Sequence, residues 1–96
     1  MVFKIIIDNR AFKDVDDAVE YYHKISPQLT KRFVSDIRKS IKALSKNPFF
    51  QIRYKDYRCL PLKNFPFMIH YLVDEKKNVV HIYALINTSK DIDKWL

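Results

Sequence analysis

Two β-rich runs, Phe67–Asp74 (F-M-I-H-Y-L-V-D) and Val79–Asn87 (V-V-H-I-Y-A-L-I-N), are separated only by Glu75, Lys76, Lys77 and Asn78. β-branched and aromatic residues fill both runs, and a short polar link between such runs is the pattern of an antiparallel hairpin. The lead-in from Arg58 to Pro66 (R-C-L-P-L-K-N-F-P) is basic and twice broken by proline. The chain contains no glycine. Its turns therefore fall to Asn, Asp, Pro and Lys, of which Asn and Asp best tolerate left-handed backbone.

The remaining segments arrange themselves around this hairpin. Val2–Asp8 is a short β-branched run and predicts a first strand. From Ala11 to Ile25, Val15, Ala18, Val19, Tyr22 and Ile25 recur at spacings of three and four, which predicts an amphipathic helix. Its early acids, Asp14, Asp16 and Asp17, suit the positive end of a helix dipole. Ser26-Pro27 ends this helix and opens another, with serine as N-cap and proline in the first turn. The second helix runs to about Lys46, with a stripe of Leu29, Phe33, Ile37, Ile41 and Leu44, and Asn47-Pro48 stops it. Gln51–Tyr54, a turn at Lys55-Asp56, and Tyr57–Leu60 predict a short irregular ribbon whose pairing Pro61 limits. The order β-α-α-β-β-β predicts an α+β fold, an antiparallel sheet that includes the N-terminal strand, packed against a helical hairpin.

Length and composition bound the function. The 96 residues, 48% of them apolar, predict one packed domain over residues 1–96. Cys59 is the only cysteine, so no internal disulfide forms, and a reducing, cytoplasmic setting is expected. The first apolar run, broken by Lys4 and closed by Asp8, is too short for a signal-peptide core or a membrane span. The net charge of +7 is concentrated: residues 31–63 hold ten Lys or Arg against Asp36 and Asp56. The flanking thirds are close to neutral. Such a field favours an anionic partner, whether RNA, DNA or an acidic protein segment, and it also serves as an ordinary solvated helix face.

The ordered motifs resemble the RelE/ParE toxin superfamily along essentially the whole chain. Ala11, Asp14, Ala18, Tyr21 and Tyr22 are similar to its A-x-x-D-x-x-x-A-x-x-Y-Y. Ser26, Pro27, Leu29, Arg32 and Phe33 match S-P-x-L-x-x-R-F, and Lys46, Asn47 and Pro48 match K-N-P. Arg58, Leu60, Leu62, Phe65, Pro66, Ile69 and Tyr71 follow R-x-L-x-L-x-x-F-P-Y-x-I-x-Y. The resemblance implies the toxin of a two-gene toxin–antitoxin module, neutralised by a cognate antitoxin. It implies one of two targets: gyrase, bound and poisoned without bond-making chemistry, or mRNA cut on the ribosome.

The site residues separate these expectations. A metal-independent ribonuclease needs a base, a cationic clamp on the phosphorane and an acid for the leaving oxygen. On that reading Lys55, Arg58, Lys63 and Lys90 are the candidates. The family's nuclease pattern, however, places an arginine where this chain has Met68, and His or Arg where it has Asn87 and Lys90. Asn87 exchanges no proton near neutral pH. These departures favour a gyrase-binding toxin, with Arg38, Lys42, Arg53 and Arg58 as target- or antitoxin-binding cations. A metal-independent nuclease and a small basic nucleic-acid-binding module are the alternatives.

Other chemistry finds little footing. No His/Cys/Asp spacing resembles a metal site, and no cofactor is expected. His70 and His81 lie on the two hairpin strands, where paired positions on one face can interact; they are read as half-buried structural residues, with their mutual orientation left open. Cys59 is read as a buried thiol. Tyr54, Tyr57, Phe65, Phe67, Tyr71 and Tyr83 flank the basic segment, where aromatics either stack on bases or fill a core. Arg58 is the leading candidate: a phosphate clamp or interface anchor, or a structural partner of Asp56 or Asp74.

Overall fold

The computed structural model describes residues 2–50, 52–54 and 56–88, the side chains of 52–54 excepted. Strand β1 (Lys4–Ile7) leads into helix α1 (Asn9–Ile25), helix α2 (Pro27–Lys46), and strands β2 (Ile52–Tyr54), β3 (Tyr57–Pro61), β4 (Phe67–Asp74) and β5 (Val79–Asn87). The α+β expectation and the element order both hold. Lys55, Lys90 and the side chain of Arg53 lie outside the described residues.

The helix boundaries follow local chemistry. Ser26, in extended backbone, serves both helices: its N–H donates to Tyr22 O at 2.9 Å, and its hydroxyl accepts from Gln28 N at 3.2 Å. Asn47 closes α2 by donating to Ala43 O, and its side chain accepts from Phe49 N at 3.2 Å. Helix α1 opens at Asn9, earlier than Ala11, because Asp8 N–H continues the strand ladder to Ile82 O and the chain bends at once into the helix. This removes Asp14, Asp16 and Asp17 from the first turn, where a carboxylate gains most from the dipole. In the β4–β5 turn, Asn78 takes the left-handed conformation (φ 56°) that a glycine-free chain assigns to asparagine.

The sheet runs β1-β5-β4-β3-β2 and is mixed. Strands β2 to β5 alternate in direction, but β1 joins the outer edge of β5 in parallel, pairing Lys4 with Val79 and Ile7 with Ile82. This corrects the expected antiparallel sheet. Parallel neighbours need a long crossover, which the two helices and three intervening strands supply, and side-chain alternation alone does not encode strand direction.

Both helices cover one face of the sheet. Phe33, Leu44, Val80 and Tyr71 are completely buried there. Tyr22, Phe33, Phe65 and Phe67 form a ring cluster with centroids 5.1–6.3 Å apart, the tilted and edge-on arrangement that aromatic quadrupoles favour. Phe65-Pro66-Phe67 is thus structural, and burial withdraws Phe67 and Tyr71 from any base-stacking role, while Phe65 stays half-buried at the edge of the cluster. Ser45 clamps the start of β1 to the end of α2 twice: its carbonyl accepts from Phe3 N at 2.8 Å, and its hydroxyl donates to Phe3 O at 3.0 Å.

Candidate functional site

The basic middle third is divided by the fold. Helix α2 and the loop between β3 and β4 enclose a groove of about 810 Å³, lined by Lys31, Arg32 and Lys39 from the helix and Lys63 from the loop. Its apolar lining includes Leu29, Leu60 and Phe65, which pack their inner sides against the core. The loop is held there by Asp36, the buried charged residue of the core: Asn64 N donates to its carboxylate at 2.9 Å. Asp36 falls three residues after Phe33 and just before Ile37, so a lone acid beside the apolar stripe was the signal in the sequence.

The other cations point elsewhere. Arg38 is exposed and lines a shallower surface beyond Lys39, and Lys42 is exposed without lining any described groove. Arg58 lies at the far end of β3, opposite Tyr71 in the ladder. Its Nη1 donates to Phe50 O at 2.6 Å, and its guanidinium lies over the Phe49 ring, 5.3 Å from the centroid. Among the described residues it makes no ion pair with Asp56 or Asp74, although all three line one cleft of about 660 Å³. Tyr71 grips the same connection, its hydroxyl donating to Pro48 O at 2.7 Å. Burial pushes that hydroxyl up to about 12, against smaller pulls from the Phe50 backbone and the Arg58 charge. Arg58 and Tyr71 together fasten residues 48–50 to the sheet. Lys63 and Arg58 line separate grooves.

The face of the sheet away from the helices carries a row of rings. Tyr57 lies 6.1 Å from His70 and 5.9 Å from Tyr83, and Tyr83 stacks at 5.9 Å on His81. The two histidines share this face but are not opposite one another: a register shift at His70/Tyr71 pairs His70 with Ala84 and His81 with Leu72. Both are half-buried, and burial, then the nearby Arg10 charge, lowers the His70 pKa. Met68, where the nuclease pattern has arginine, is buried. Cys59 is buried too, and as the next residue along a strand it faces away from Arg58.

A third groove, of about 420 Å³, lies between α1 and the end of β5 and is acidic, with Asp14 and Asp17 beside Tyr21, Ile25 and Asn87. Asp14 accepts from Leu85 N at 3.0 Å, closing the β5 edge beyond the end of β1. Its place between Ala11 and Ala18, on the buried side of α1, was the only mark of this in the sequence.

A helical hairpin on a mixed five-stranded sheet is a fold shared with solved chains of bacterial toxin–antitoxin systems. A chain of the chromosomal ParDE TA system from P. aeruginosa superposes with a TM-score of 0.77 at 20% identity, over 90% of this chain and 96% of that one. A mutant of E. coli toxin RelE in the free state gives 0.64 at 15% identity, over 99% and 94%. A chain of the intact E. coli RelBE toxin-antitoxin complex gives 0.60 at 17%, over 86% and 93%. No curated protein matches the sequence. The family described as "ParE toxin of type II toxin-antitoxin system, parDE" matches residues 5–92, nearly the whole chain, and the protein belongs to it. It is a toxin of the type II toxin–antitoxin class. No helix among the described residues is long and apolar enough to cross a membrane.

Proposed function

We propose that this toxin arrests growth by binding its target, DNA gyrase, without cutting RNA, and that a cognate antitoxin protein neutralises it. The observation that carries this reading is the separation of Arg58 and Lys63, the two nuclease candidates among the described residues. Acid–base cleavage requires its groups to converge within hydrogen-bond reach of one scissile phosphate. Here Arg58 and Lys63 line different grooves, Arg58 is committed to Phe50 O, and Met68 occupies the strand position of the nuclease arginine. Asn87 ends β5 beside the acidic groove and offers no titrating group. The antitoxin half of the proposal follows from family membership and from the cationic field over residues 31–63.

Induction of the toxin in cells lacking the antitoxin tests the target. The expected outcome is arrested replication and a DNA-damage response, with bulk mRNA intact on primer extension. Rapid cleavage of translated mRNA within codons would establish the ribosome-dependent nuclease instead.

A further inference from the structure

We infer that the free edge of β1 pairs with the same edge of a second copy of this chain, antiparallel about a two-fold axis at Ile6. The inference goes beyond the function proposed above and does not depend on it.

The first observation is where the edge is open. Strand β1 ends the sheet and is bonded to β5 on one side only. Lys4 N donates to Asn78 O and Asp8 N to Ile82 O, both at 2.9 Å, so the even-numbered residues turn their amides toward β5. Backbone groups alternate in direction along a strand, which turns the N–H and C=O of Phe3, Ile5 and Ile7 outward. Helix α2 takes up both groups of Phe3 through Ser45. Asp8 is still extended, with ψ at 153°, before the chain enters α1. Ile5 and Ile7 therefore present the open ladder, and neither a proline nor a register shift blunts it.

The second observation is charge. Lys4 and Asp8 stand at equal distances on either side of Ile6, and all three are exposed, whereas Ile5 and Ile7 pack against the core. Alternation places Lys4, Ile6 and Asp8 together on the face away from the helices. Within one copy the two charges are about 13 Å apart along the strand, too far to pair. Among the described residues neither forms an ion pair, and the Asp8 carboxylate caps no amide of α1.

A two-fold axis at Ile6 satisfies backbone and charge together. It sets Ile5 opposite the second copy's Ile7, as the pair that exchanges N–H···O bonds, and Ile6 opposite Ile6. Lys4 then faces the second copy's Asp8, with Cβ atoms about 4.5–5.5 Å apart. An axis at Ile5 or Ile7 would set Lys4 or Asp8 against Ile6 and leave the charges unmatched. A self-complementary patch is what a two-fold contact requires, residue i meeting j and j meeting i. An unrelated strand gains the backbone bonds without that match. The pairing merges the two sheets, with all helices on one side and both rows of Tyr57, His70, Tyr83 and His81 on the other. So short a contact falls in the weak class, and the dimer is concentration-dependent.

Sedimentation equilibrium of the full chain from about 10 μM to 1 mM covers the affinities of so small an interface, and a monomer–dimer equilibrium is expected. Lys4→Glu should weaken the dimer by at least about tenfold. Asp8→Lys should do the same, and the two together should restore it, with circular dichroism reporting that each variant is folded. Lys31→Glu, the same charge change on α2, should leave it nearly unchanged. Oxidation reads the register. Ile6→Cys should give a disulfide-linked dimer, because facing residues at the axis lie about 4.5 Å apart at Cα, within disulfide reach. Lys4→Cys faces Asp8 and should not, and the parent chain, whose Cys59 is buried, is the blank.

A chain that stays monomeric throughout overturns the inference. So does a dimer indifferent to Lys4→Glu, or equal cross-linking by Ile6→Cys and Lys4→Cys. An uncharged valine and threonine peptide that dissolves the dimer as readily as a peptide of residues 2–10 would assign the edge to any extended strand, and overturn self-pairing. If Asp8→Lys does not fold, Lys4→Glu and the cross-link decide the question.

Discussion

At the scale of single residues, the sequence offered Arg58 as a phosphate clamp, an interface anchor or a structural partner of Asp56 or Asp74, and the structure joins it to Phe50 O and the Phe49 ring. It and Tyr71 stand opposite each other on β3 and β4, and both hold the connection after α2, through Phe50 O and Pro48 O. Tyr71 is completely buried, so its hydroxyl hydrogen bond is shielded from water, whereas the Arg58 bond is exposed. Tyr71→Phe removes the donor and leaves the Pro48 carbonyl unpaired. A buried unpaired acceptor costs about 1–3 kcal/mol, and in a domain of this size each kcal/mol lowers Tm by about 4–8 °C. Thermal unfolding should therefore show a large loss for Tyr71→Phe and a smaller one for Arg58→Ala. The reverse order would mean that the arginine is the principal clamp.

At the scale of elements, two aspartates on the helices do work that their sequence neighbourhood understates. Asp14 was expected to serve the dipole of α1, but it accepts from Leu85 N at a strand edge. Asp36, counted among the few acids of the basic third, fastens the β3–β4 loop to α2 and so sets where Lys63 stands relative to Lys39. Hydrogen bonds to a charged acceptor contribute about 1.5–3 kcal/mol. Asp36→Ala should destabilise the fold by about that amount and expose the Asn64 amide to hydrogen exchange. Asp36→Asn retains an acceptor and should keep much of that protection. Unchanged Asn64 protection in the alanine variant would show that the loop is held by other contacts.

At the scale of the whole molecule, stability should depend on pH through His70. Burial lowers its pKa below the ordinary 6.5, so the folded chain resists a proton that the unfolded chain accepts. In that window the unfolded state binds more protons, and stability rises with pH. It should therefore be complete above pH 6.5, fall as pH drops from 6.5 toward the lowered folded value, and level off below it. Urea unfolding of the parent and of His70→Asn between about pH 7.5 and 5 checks this. The parent should lose more stability on acidification than the variant, and parallel profiles would remove His70 from the account.

Much of this architecture was written locally. Apolar spacing of three and four marked both helices, Ser26-Pro27 and Asn47-Pro48 marked their ends, and two β-branched runs around a polar link marked the β4–β5 hairpin. Each depends on residues a few positions apart, where backbone sterics and side-chain alternation act directly. The order of motifs along the chain likewise carried the family. What only the tertiary structure decided depends on distant pairs. β1 lies parallel on β5, Asp14 meets Leu85 across 71 positions, and Asn64 reaches Asp36 across 28. The aromatics of the basic segment also divided only on folding, Phe67 and Tyr71 into the core with Phe65 packed against it, and Tyr57 and Tyr83 onto the open face. So did the cations, with Lys63 beside Lys39 and Arg58 in another cleft. Charge and aromaticity are visible in any sequence, but which face of the sheet receives them depends on register and packing between segments far apart in the chain.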